Sequence, residues 1–132
     1  MGQNLNLVAE LNAAMTEYVQ EVQTAIDEAA KEAAELTVRE LKANSPKRTT
    51  GSRKGRGDYA KGWKMKKRNE AHLVSYVVYN GKAPSLTHVL EHGHISKNQF
   101  GSYGRVRAIP HIGPAADAGI QRFELAVKAR LR

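Results

Sequence analysis

The sequence predicts an α+β fold: a long N-terminal helix, a small antiparallel β-sheet with a short helix, and a C-terminal helix packed on the sheet. Three observations carry that prediction. Gly and Pro are missing from Gln3 to Ser45, and apolar residues recur there in steps of three and four. Two short runs, Lys61 to Arg68 and Leu73 to Asn80, alternate in polarity or are rich in β-branched and aromatic residues. From Ala115 to Leu131 the helical spacing returns, with Ile120, Phe123 and Val127 on one face. At 132 residues the chain makes a single domain. Residues 1–45 supply the long helix, 46–58 a flexible basic loop, and 59–132 a β-hairpin, short helix, edge strand and C-terminal helix.

The first helix carries its apolar stripe through Val8, Leu11, Met15, Val19, Val22, Ile26, Ala29, Ala33, Leu36 and Leu41. Glu28 with Lys31 and Glu35 with Arg39 have the spacing of side-chain pairs on one helix. Ser45-Pro46 stops the helix, because a residue before proline is pushed out of the α region. About 38 helical residues would span roughly 57 Å. A compact domain of this size is roughly 30 Å across. The helix must therefore break or pack partly on another subunit, with Val19, Val22, Ile26, Ala29 and Ala33 as the candidate interface. Lys47 to Gly57 has no apolar residue and three glycines, so it reads as a solvated cationic loop.

Trp63 and Met65 alternate with Lys64 and Lys66 in the first strand, and Val74 to Tyr79 forms the second. Arg68-Asn69-Glu70-Ala71 reads as their connection and Asn80-Gly81 as a turn. Ser85 to His92 reads as a short helix with Ser85 as N-cap and Gly93 closing it in a left-handed conformation, its Leu86, Val89 and Leu90 facing the core. A polar loop over 95–104 and an edge strand over 106–112 containing Pro110 follow. Pro114 fits the first turn of the last helix. Trp63, Tyr76, Val78, Leu90, Ile109 and Phe123 are the expected large core residues.

Composition narrows the function classes. The chain is 41% hydrophobic and 26% charged, as soluble globular proteins are. No run approaches the roughly 18 apolar residues of a membrane span. The start of the sequence has no signal-peptide pattern. Cysteine is absent, which excludes disulfides, thiolate ligands and a cysteine nucleophile and fits a reducing cytoplasm. The net charge of +8 is unevenly spread. Residues 1–46 hold three cations against eight acids, a net of −5; residues 47–72 hold ten against two, +8; residues 73–132 hold eight against three, +5. Such asymmetry points to an acidic partner such as nucleic acid, or to head-to-tail contact between copies of the chain.

His88-Val89-Leu90-Glu91-His92 matches the H-x-x-E-H arrangement of one metalloprotease class. On a helix, His88 and His92 lie one turn apart and could grip zinc, with Glu91 as general base and His94 or His111 as further ligands. Against this hydrolase reading, the helix has two turns and the chain leaves little room for a substrate cleft. The bland reading makes these histidines edge residues of a structural helix. Gly51 to Gly57 lacks the Gly-Lys-Ser/Thr ending of a P-loop. Lys47, Arg48, Arg53, Lys54 and Arg56 could instead neutralise phosphates without reading sequence. No serine sits in a nucleophile elbow, so a non-enzyme is expected, with no cofactor.

Three ordered strings carry a family resemblance: Ser45-Pro46-Lys47-Arg48-Thr49 with Asp58-Tyr59-Ala60-Lys61-Gly62-Trp63; Val78-Tyr79-Asn80 with Leu86 to His94; and Arg107-Ala108-Ile109-Pro110-His111-Ile112-Gly113-Pro114-Ala115. With a long helix before and a helix after, the chain resembles the small tail-component family of HK-ninety-seven-like long-tailed phages and prophages, over almost its whole length. The resemblance implies a non-enzymatic virion protein, made in the bacterial cytoplasm, that acts in tail completion or head–tail joining at the neck. Its implied partners are other tail or connector proteins and further copies in a ring, with non-specific contact to passing DNA and none to membranes. It also implies that His88, His92, His94 and His111 lock loops structurally. The segment between Arg48 and Asp58 is longer and more basic than the family's short Thr-Gly link. The alternative reading is a basic nucleic-acid-binding protein.

Overall fold

The computed structural model describes residues 7–47, 56–70, 73–98 and 101–131. Its element order is α1 (Leu7–Asn44), α2 (Asp58–Lys61), β1 (Trp63–Glu70), β2 (Leu73–Asn80), α3 (Leu86–His92), β3 (His94–Asn98), β4 (Gly101–Val106) and α4 (Ile112–Arg130). The fold is α+β, with a long N-terminal helix, an antiparallel hairpin, a short helix and a C-terminal helix.

α1 runs 38 residues without a break, so of the two outcomes open to a helix this long, breakage does not occur. It ends as the Ser45 N–H donates to the Leu41 carbonyl at 2.9 Å, just ahead of Pro46. α1 is the element against which both the hairpin and α4 pack. α4 runs antiparallel to it: Ala115 lies beside Leu41, Gly119 beside Ala33, and Arg130 beside Glu28. Small residues permit the close approach, with Ala25, Ala29 and Ala33 buried on α1 and Ala115, Gly119 and Ala126 on α4. A Cβ on Gly119 would run into the Thr37 hydroxyl, which itself donates to the Ala33 carbonyl at 2.8 Å. Arg122 and Arg130 close the edge of this seam on Glu32, at 2.6 and 3.0 Å. These two guanidiniums hold the Glu32 carboxyl below the usual carboxylate range, mainly through hydrogen bonds.

β1 and β2 pair in register from Trp63↔Asn80 to Glu70↔Leu73. Asp27 of α1 meets this hairpin, accepting from the Tyr76 hydroxyl at 3.3 Å and pairing with Lys67 at 3.5 Å. Leu41, Tyr59, Trp63 and Ala115 form the tight core cluster, with Val38, Val78, Ala83, Leu90 and Ile112 packed around it.

Several expectations are corrected here. The strand expected from Lys61 begins at Trp63, because Asp58–Lys61 forms a helical turn. β1 continues through Glu70, so the expected Arg68–Ala71 connection is mostly strand; Ala71 lies outside the described residues. The stretch expected to be a polar loop forms a second antiparallel hairpin, β3–β4, from His94↔Val106 to Asn98↔Gly101. The edge strand expected over 106–112 does not form. Backbone there bonds to α3 instead, with the Ile109 N–H donating to the Leu90 carbonyl at 2.7 Å. Of the expected large core residues, Trp63 is buried, Tyr76, Val78, Leu90 and Phe123 are half-buried, and Ile109 is exposed. No residue of α3 is buried, and Leu86 is exposed. Alanine-lined helix contacts take the place that large side chains were expected to fill. α4 accordingly makes its main contact along α1, not on the sheet. Glu28, expected to pair with Lys31, bonds Arg130 across the seam at 3.2 Å.

Candidate functional site

Where α1 ends, the quoted motifs converge in one buried polar corner. The Trp63 indole N–H donates to Ser45 Oγ at 2.8 Å, tying β1 to the end of α1. Asn80 is buried and uses its whole amide. Its Nδ2 donates to the Tyr59 carbonyl at 2.7 Å, while Oδ1 accepts from the Lys82 and Ala83 N–H groups at 3.0 and 2.8 Å. A Cβ on Gly62 would fall 2.6 Å from that Oδ1, so only glycine fits where the two turns meet. His111, 1% exposed, stands at the centre. Its Nδ1 lies 2.8 Å from the Ile109 carbonyl and 3.2 Å from Glu91 Oε1, both acceptors, so Nδ1 carries a proton. In the singly protonated ring, Nε2 then accepts from the Tyr59 hydroxyl at 2.6 Å. Burial first, then the Glu91 charge, push that hydroxyl up to about 12. The Tyr59, Trp63 and His111 rings meet edge to face, with centroids 5.5–6.3 Å apart.

Glu91 is the residue whose role local pattern did not disclose. Its Oε1 accepts from the His111 and Ile112 N–H groups at 2.7 and 2.8 Å, and its Oε2 from Gly113 at 2.9 Å. These are the orphan donors at the start of α4, whose N-cap residue, His111, makes no side-chain cap bond. A carboxylate there also meets the positive end of the helix dipole. Burial favours protonating Glu91, but the three backbone N–H donors outweigh it and hold its pKa below the usual carboxylate range. The one available signal was negative: no Ser, Thr, Asp or Asn immediately precedes Ile112, so the cap had to come from elsewhere in the chain.

His88 and His92 take no part in this corner's hydrogen bonds. His88 and His92 are exposed on α3, with ring centroids 4.7 Å apart. His94 begins β3, and its side chain is outside the described residues. Among the described residues, no group of three or more His, Cys, Asp or Glu is placed to hold a metal ion. The carboxylate that a hydrolase would use as base beside His88 and His92 is committed to capping α4.

A second surface lies at the opposite end of α1. Every residue from Leu7 to Glu21 is exposed, including Leu7, Val8, Leu11, Met15, Tyr18 and Val19 at 50–71%. Of the expected interface residues, Val19 and Ile26 are exposed and Val22 is half-buried, whereas Ala29 and Ala33 are buried within the chain. Of the expected basic-loop residues, Arg48, Arg53 and Lys54 lie outside the described residues; Lys47 is exposed and Arg56 half-buried. Both flanks of that segment border a cleft of about 380 Å³ whose walls include Pro46, Lys47, Gly57, Tyr59, Leu86 and Leu90.

Residues 9–93 match the family model described as bacteriophage HK97-gp10 tail component. The chain belongs to the HK97-gp10-like family. No curated protein and no solved structure matches it. The HK97-gp10-like match runs from α1 through α3 and takes in Ser45, Tyr59, Trp63, Asn80 and Glu91. His111 and α4 lie beyond it, joined to the matched part through the Glu91 carboxylate and the α1 seam. Membership makes the chain a phage tail component and a virion protein that works against other phage structural proteins. No described helix is long and apolar enough to cross a membrane.

Proposed function

We propose that this tail component completes the tail and joins it to the head at the neck of a long-tailed phage, acting without catalysis as a ring of copies. The observation that carries this reading is the uncovered N-terminal half of α1. An apolar face of that length, left open by the chain's own fold, calls for a structural neighbour. The buried corner serves a different end: it fixes the angle between α1, the hairpin and α4, so that the protruding helix is presented rigidly. The basic residues Lys47, Arg48, Arg53, Lys54 and Arg56 meet an acidic face of the adjoining tail protein. The alternative use of these residues is a positive collar, repeated around a ring, past which DNA travels.

Electron microscopy of lysates from a phage lacking this gene tests the reading. Full heads beside separate tails are the expected result, and normally joined virions would contradict it. Replacing Arg53, Lys54 and Arg56 with Ser then separates the two uses of the collar. Unjoined particles support the protein contact, joined particles that eject DNA abnormally support the channel contact, and unaffected phage removes both.

A further inference from the structure

We propose that the protruding half of α1 docks head to tail on a second copy of this chain, seating on the outward face of that copy's β1–β2 hairpin. The inference rests on the reading that copies assemble in the tail, and it names the two surfaces that meet. Continuity is the first argument. Val8, Leu11, Met15, Val22, Ala29 and Ala33 share one stripe of α1, and its first buried residue is Ala29, with Val22 half-buried. The same stripe, with larger side chains, is left open towards Leu7.

Charge selects the occupant. Leu7 to Ala30 holds Glu10, Glu17, Glu21, Asp27 and Glu28 and not one Lys or Arg, while the whole chain is at +8. Two such helices laid on each other have no opposite charge to offer, so a symmetric pair gains nothing electrostatically. The hairpin offers the complement. Tyr76 and Lys67 face Asp27 of α1, so the alternate residues Lys64, Lys66 and Arg68 face away, paired in the register with Tyr79, Val77 and Ser75. Lys64, Lys66 and Tyr79 are exposed, and the Lys66 ammonium lies 5.4 Å from the Tyr79 ring centre. A hairpin face of lysines beside Tyr79 and Val77 thus meets a helix segment that is apolar on one side and whose only charges are acidic. Two different surfaces in contact form a heterologous interface, the kind that closes into rings or grows into filaments.

Two double variants test the pairing by sedimentation velocity, with circular dichroism confirming that each folds. Leu11→Asp with Met15→Asp disables the helix; Lys64→Glu with Lys66→Glu disables the hairpin face. Wild type is expected to form closed or extended oligomers, and each variant alone to be monomeric. Mixed, the variants should give one-to-one dimers that grow no further, because each dimer exposes only disabled surfaces. A variant that associates alone like wild type, or a mixture that stays monomeric, overturns the assignment of surfaces while oligomeric wild type keeps the ring. Wild type that is monomeric at its highest soluble concentration overturns the self-docking proposal. The tail-joining role is judged separately by the gene-deleted phage.

Discussion

Glu91 holds three backbone N–H groups of another helix with one carboxylate, so its loss leaves three donors to find water or strain. Glu91→Ala is expected to cost about 1–2 kcal/mol, the scale of losing a good helix cap, measured by urea unfolding. The pH dependence has a definite sign. Because the folded pKa of Glu91 lies below its ordinary value of 4.5, its stabilisation is complete above that value and is lost as pH falls through the folded pKa. Glu91→Gln should flatten the acid limb of the stability profile. Tyr59 acts at the other extreme. With its hydroxyl raised from 10.0 to about 12, stability is retained below pH 10 and lost as pH rises through 12. Tyr59→Phe strands His111 Nε2 in a buried site and should cost about 1–3 kcal/mol. The strings holding Ser45, Tyr59, Trp63 and His111 were legible as motifs in the sequence. Their mutual bonds were not, since each partner lies 18 to 52 residues from the other.

At the scale of elements, periodicity was a sound guide wherever a face is half apolar, as in α1, β1–β2 and α4. It failed for β3–β4, where the strands hold few apolar residues. It also misjudged the core, because alanine and glycine at a helix crossing carry little hydrophobic signal yet are buried there, Ala29 completely. The α1–α4 seam is therefore intolerant of bulk. Gly119→Val should destabilise by about 1–3 kcal/mol through overpacking against Thr37 and Ala33, seen as a lower midpoint in thermal unfolding. Phe123→Ala, by contrast, should cost less than the roughly 3–5 kcal/mol of an enclosed ring, since Phe123 is only half-buried.

Across the whole molecule, the charge asymmetry of the sequence corresponds to a spatial separation. The acids of α1 from Leu7 to Glu21 stand on a helix that extends past α4, while the lysines of β1 lie on the hairpin beside its far half. By its length so long a helix was expected to break or pack on another subunit; α1 is unbroken, and the neighbour is the proposal. Rigidity comes from the buried corner and the alanine seam; the proposed assembly uses what they leave uncovered. The two should be separable by mutation. The most direct measurement is complementation of a gene-deleted phage with the Leu11→Asp, Met15→Asp variant, scored by plaque count and by microscopy of the lysate. The account predicts a protein with wild-type thermal stability that yields unjoined heads and tails and no plaques. Wild-type plaque numbers from that variant would contradict it.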